Sequence, residues 1–116
     1  MQECASEGFA IDGFYRDDKT SRETLAFLEE DGCRWQLVNK DGSSVDGQFK
    51  RTDDPNILVL KKENGEEFGT VHVAYISRRR NQGQIYLIRN TEVTRFYLVS
   101  TDPAFTVESG DVDADV

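Results

Sequence analysis

The sequence predicts an all-β fold, an antiparallel meander of about eight strands closing into a small barrel, and three observations carry the prediction. Apolar and polar residues alternate through most of the chain. Turn pairs, Asp31-Gly32, Asn64-Gly65 and Asn90-Thr91, interrupt the alternation. Around each pair an acidic residue on one arm stands against a basic one on the other: Glu29 and Arg34, Lys62 and Glu67, Arg89 and Glu92. Asp-Gly and Asn-Gly between alternating hydrophobics are strong hairpin signals, because the tight turn needs residues that accept positive φ. Opposite charges across the arms then favour one register.

The first strand falls near residues 13–16, Gly13-Phe14-Tyr15-Arg16. Residues 24–30 follow, and after Asp31-Gly32 the run 33–38 sends Cys33, Trp35 and Leu37 to one side. A two-residue hairpin there would set Leu28 opposite Trp35 and Ala26 opposite Leu37 as one apolar face. Within this stretch Thr20-Ser21-Arg22-Glu23 is also a capping-box pattern, with Leu25 and Leu28 at helical spacing. The alternative is therefore an α+β fold with a helix over residues 21–31 on a curled antiparallel sheet.

A loop at 39–43 leads to residues 45–51, where Val45, Gly47 and Phe49 share a face. Asp54-Pro55 marks a turn, since proline cannot donate to a ladder. Residues 57–62 open with four apolar positions and read as a strand covered on both sides. Asn64-Gly65 returns the chain into residues 67–77, with Val71, Val73 and Tyr75 on one face and Leu58 opposite Val71. The connection 78–83 is rich in arginine, and residues 84–89 and 92–100 complete the set. A meander of this length removes its exposed edges by closing on itself.

Composition bounds the rest. The 116 residues suit one domain, here an extension at 1–12, a barrel at 13–101 and an acidic tail at 102–116. With 37% hydrophobic and 31% charged residues the core is thin. No apolar run reaches the roughly 18 residues of a membrane helix. The net charge of −8 is uneven. Residues 1–56 carry 7 basic and 13 acidic side chains, 57–101 carry 7 and 4, and 102–116 carry none and 5. General nucleic-acid binding is disfavoured, because phosphates require a cationic footprint.

Arg78-Arg79-Arg80 clusters three cations on one connection, which reads as a site for an anion or acidic partner, flanked by Tyr75 and Tyr86. One arrangement has Asp111, Asp113 and Asp115 of the tail folded back to mask these arginines. Cys4 and Cys33, the two cysteines, allow one disulfide, which requires an oxidising compartment. Catalytic and metal constellations are missing from the pattern. His72 is the sole histidine and sits between Val71 and Val73, and the two sulfurs lack ligand spacing around it. The doublets Asp17-Asp18, Glu29-Glu30 and Glu66-Glu67 alternate faces or flank turns, unlike paired catalytic carboxylates. No phosphate loop or nucleophile elbow occurs, so no cofactor is expected.

The order Gly13-Phe14-Tyr15, apolar strand, acidic-Gly turn, Trp35 strand, Gly47-Gln48-Phe49 and then Ile57 to Leu60 resembles small bacterial lipocalin-like envelope domains, including the amino-terminal part of some envelope-stress lipoproteins. The resemblance covers about residues 13–100. It implies a barrel that binds a small ligand or a protein in the periplasm or outside the cell. Gln2-Glu3 before Cys4, and the lack of a paired-cysteine motif, keep lipid anchoring and metal sensing out of that implication. The expected function is a non-enzymatic binding module of the cell envelope or exterior. The alternative is an acidic immunity or inhibitor protein that neutralises a basic toxin or nuclease.

Overall fold

Trp35 and Leu37 are buried while Gln36 between them is exposed, the pattern of a strand with one face on a core. The same period repeats through the computed structural model, which describes residues 11–17, 22–29, 32–77 and 79–101. Eight strands result: β1 (Gly13–Asp17), β2 (Glu23–Leu28), β3 (Arg34–Asn39), β4 (Ser44–Arg51), β5 (Ile57–Lys62), β6 (Glu67–Ser77), β7 (Gln82–Arg89) and β8 (Glu92–Ser100). Each pairs antiparallel with the next, and β8 pairs with β1 to close the barrel. Residues 23–28, within the stretch that also carried a helical pattern, form β2. Antiparallel pairing with β1 and β3, which buries Thr24 to Phe27 in one run, outweighs the capping box, and no helix occurs among the described residues.

The β2–β3 register differs from the expected one by a residue. Phe27 pairs with Trp35 and Leu25 with Leu37, so these four form the inward face. Ala26 and Leu28 project to the outer side, where Leu28 is 38% exposed. The cause is a longer connection: the Cys33 N–H donates to the Glu29 carbonyl, and Gly32 and Cys33 both take positive φ. An odd change in loop length exchanges the two faces of a strand. Glu29 therefore does not meet Arg34. Arg34 instead bonds Glu63 at 2.7 Å, with Asp46 at 3.6 Å.

The turn at Asn64-Gly65 is a three-residue connection. Gly65 N–H donates to the Lys62 carbonyl, Lys62 N–H to that of Glu66, and Gly65 has φ 92°. Lys62 consequently meets Glu66 at 3.6 Å rather than Glu67, which stands across from Lys61. The β7–β8 turn keeps the expected pairing of Arg89 with Glu92, and Leu58 pairs with Val71.

The barrel is filled by its own side chains. Tyr15, Phe27, Trp35 and Phe96 are fully buried with Leu25, Leu58, Leu60, Val71, Ile85 and Leu87. Phe27 meets Tyr15 and Phe49 edge-on, with ring centroids 5.9 Å and 5.3 Å apart. On β5 only Leu58 and Leu60 are buried, and Ile57 and Val59 are half-buried on the outer side, so this strand is covered on one face rather than two. Gly47 is required where β4 lies against β5, since a Cβ there would lie 1.9 Å from the Lys61 carbonyl oxygen.

One end is sealed. Ile11, fully buried, donates its N–H to Glu29 Oε2, and its carbonyl accepts the Tyr15 hydroxyl at 2.9 Å. Arg51 Nη2 stands 3.5 Å from the same Glu29 oxygen, both side chains being almost wholly buried. The other end, ringed by the β3–β4, β5–β6 and β7–β8 turns, is the mouth.

Candidate functional site

The expected arginine and tyrosine site lies at and beside the β6–β7 connection, which belongs to the sealed end. Asn81 takes φ 58° there, and Arg79 and Arg80 are exposed. Arg78 lies outside the described residues, as do Cys4 and the tail residues Asp111, Asp113 and Asp115. A β-bulge decides how Tyr75 faces. Val73 pairs with Ile85 and Tyr75 with Gln84, leaving Ala74 as the additional residue. Tyr75 thus leaves the side of Val71 and Val73 and becomes 51% exposed on the outer wall, which corrects the expectation that the three share a face.

On that wall Tyr75, Gln84 and Tyr97 stand side by side across β6, β7 and β8. Tyr86 is two residues along β7 on the same face, and its hydroxyl accepts a 2.9 Å hydrogen bond from Gln84 Nε2. Tyr86 in turn pairs with His72 on one side and Arg95 on the other. The structure thus joins Tyr75 and Tyr86 on one surface leading to Arg79 and Arg80. Tyr97, 47% exposed, and Arg95 belong to it as well. Both were readable from β8, where Arg95 and Tyr97 alternate with the buried Phe96 and Leu98. The face holds aromatic rings and guanidinium groups, the side chains most enriched at protein interfaces.

The mouth holds a second feature that sequence reasoning missed, a cavity of about 710 Å³. Arg22, Lys40, Arg89 and Arg95 supply cations around it. Asp17, Glu23, Asp41 and Glu92 supply an equal number of carboxylates. Asp41 accepts hydrogen bonds from the Ser43 N–H and hydroxyl at 2.9 and 2.7 Å, which hold its carboxyl below the ordinary value. Arg89 Nη2 stands 3.4 Å from Glu23 Oε1, and its guanidinium carbon lies 5.7 Å from the Phe68 ring centroid. Phe68 reaches this position because it is the additional residue between the pairs Leu60–Gly69 and Lys61–Glu67. These residues come from separated turns, so their convergence required the closed barrel.

Lipocalin-type barrels hold a small ligand inside; here the interior is occupied by side chains, and the cavity lies at the rim. Among the described residues no group of three or more His, Cys, Asp or Glu side chains is placed to hold a metal ion, and no helix is long and apolar enough to cross a membrane. No family model, curated protein or solved structure matches the chain.

Proposed function

We propose that this barrel is a non-enzymatic interaction module of the bacterial cell envelope or exterior, akin to lipocalin-like envelope domains, and that it binds an acidic protein through its outer β6–β8 wall. The observation that carries the reading is the row of Tyr75, Gln84 and Tyr97, with two half-exposed rings on the outer sheet face. Tyrosines give large contact area at small entropic cost. Arg79, Arg80 and Arg95 border the row and select for carboxylates. The wall belongs to the part of the chain with a positive balance, residues 57–101, so a partner of opposite charge is steered to it. A Cys33–Cys4 bridge fits an oxidising compartment.

Pull-down from the native host with the full chain and with the Tyr75→Ala/Tyr97→Ala variant tests the reading. The expected result is retention of an acidic protein by the parent, its release by salt, and its loss with the variant. Equal retention by both chains would remove the wall from function. Retention of a basic protein by both would instead favour the acidic-inhibitor reading.

A further inference from the structure

We infer that the cavity at the barrel mouth is a binding site for a small zwitterion, a molecule of amino-acid or short-peptide type whose carboxylate meets Arg89 and whose ammonium meets Glu23. The site is separate from the Arg79 and Arg80 connection, since the two lie at opposite ends of β7. Its volume of about 710 Å³ is within the roughly 300–1,000 Å³ of small-ligand sites.

Arg89 is the anion-binding group of the site. Its Nε is buried and has no hydrogen-bond partner among the described residues. Its Nη2 has only a long contact to Glu23, at 3.4 Å. A buried N–H left unmade is costly, the more so on a charged group. Phe68 lies beneath the guanidinium, with its ring centroid 5.7 Å from the guanidinium carbon, and the side chain as a whole is 24% exposed. A carboxylate in the cavity meets the Nη groups first, and a turn of the guanidinium toward it brings Nε–H into the forked geometry for which the group is suited.

Local charge balance sets the rest of the ligand. A ligand carboxylate on Arg89 competes with Glu23, which would otherwise lose its counterion in a half-buried site. Among the described residues the lining is balanced, with four cations and four carboxylates, so a simple anion would leave an excess negative charge there. A ligand with its own ammonium repairs the balance, and Glu92, paired with Arg89 across the β7–β8 turn, adds a second carboxylate for it. Val93 and Thr94 on the same wall offer an apolar surface to the remainder of the ligand.

The test is a titration of the full chain, followed by backbone amide and arginine Nε–H resonances, with three probes: triglycine, N-acetyl-triglycine and triglycine amide. Triglycine should give saturable shifts at Arg89, Glu92 and Lys40 in the millimolar range, with each blocked probe weaker by about tenfold, the effect of losing one charge-assisted contact. Arg89→Lys keeps the charge and stem but loses the fork, and should weaken triglycine by a similar factor while the thermal midpoint is held. Should that variant unfold, Glu92→Gln gives the same reading from the ammonium side, weakening triglycine but not triglycine's N-acetyl form. Binding of N-acetyl-triglycine as tight as that of triglycine would overturn the zwitterion in favour of a simple anion. No saturable shift with triglycine, or shifts elsewhere than the mouth, would overturn the site.

Discussion

The indole of Trp35 lies against the Phe68 ring, with centroids 4.8 Å apart and planes tilted by 30°, and its Nε1–H donates to the Lys61 carbonyl at 2.9 Å. Three strands are fastened by this one side chain, because Trp35 is on β3, Lys61 on β5 and Phe68 on β6. The glycine at 47 makes the reach possible. It pairs with Trp35 on one side and Lys62 on the other, so no side chain intervenes between the indole and β5.

Trp35→Ala should therefore destabilise the fold by roughly 3–5 kcal/mol, the range for deleting a large buried aromatic. Trp35→Phe should cost less, since it keeps a ring against Phe68 and loses the hydrogen bond to Lys61. Urea unfolding midpoints of the three proteins measure both. An alanine variant with an unchanged midpoint would contradict the placement of Trp35 at the centre of the core.

Strand identity was legible because burial is read from alternation, and Trp35, Leu37, Leu58 and Val71 all fall where alternation puts them. Register was less so. Leu28 was expected beside Trp35 and is exposed instead, since the hydrogen bond from Cys33 to Glu29 lengthens the connection by a count that Asp31-Gly32 alone does not reveal. Bulges escaped notice for the same reason. Ala74 and Phe68 are ordinary strand residues by type, and only pairing with β7 and β5 shows that one re-aims Tyr75 and the other turns toward Trp35. The mouth cavity had no local signal at all, because Glu23 and Arg89 are 66 positions apart and meet through barrel closure.

Thiol titration checks the bridge expected between Cys33 and Cys4. No cysteine among the described residues is free, and Cys33 occupies a fixed corner at φ 58°, where its carbonyl accepts the Phe49 N–H at 2.8 Å. Closing the loop from residue 4 to 33 would stabilise the chain by about 3–4 kcal/mol in the chain-entropy description. Denatured protein that has met no reductant should show no reactive thiol, and reduction should lower its melting midpoint. Two reactive thiols would refute the bridge and take away its support for an oxidising compartment.

The sealed end should make stability depend on pH through Glu29. Burial, with the hydrogen bond and negative charge of Asp12, raises its carboxyl above the ordinary value of 4.5, and hydrogen bonding from the Ile11 N–H and the charge of Arg51 only partly counter this. A folded state that holds the proton more tightly than the unfolded chain is favoured by acid. The contribution is therefore complete below about 4.5 and is lost as pH rises through the higher folded-state value. Glu29→Gln has nearly the same shape and never ionises, so the parent should lose stability relative to this variant as pH climbs from acid toward neutral, and the difference should then level off. Denaturant midpoints of both proteins across that range give the comparison. Parallel curves would mean that the Glu29 carboxyl titrates alike in the folded and unfolded chains, and that the contacts with Ile11 and Arg51 balance its burial and the nearby Asp12.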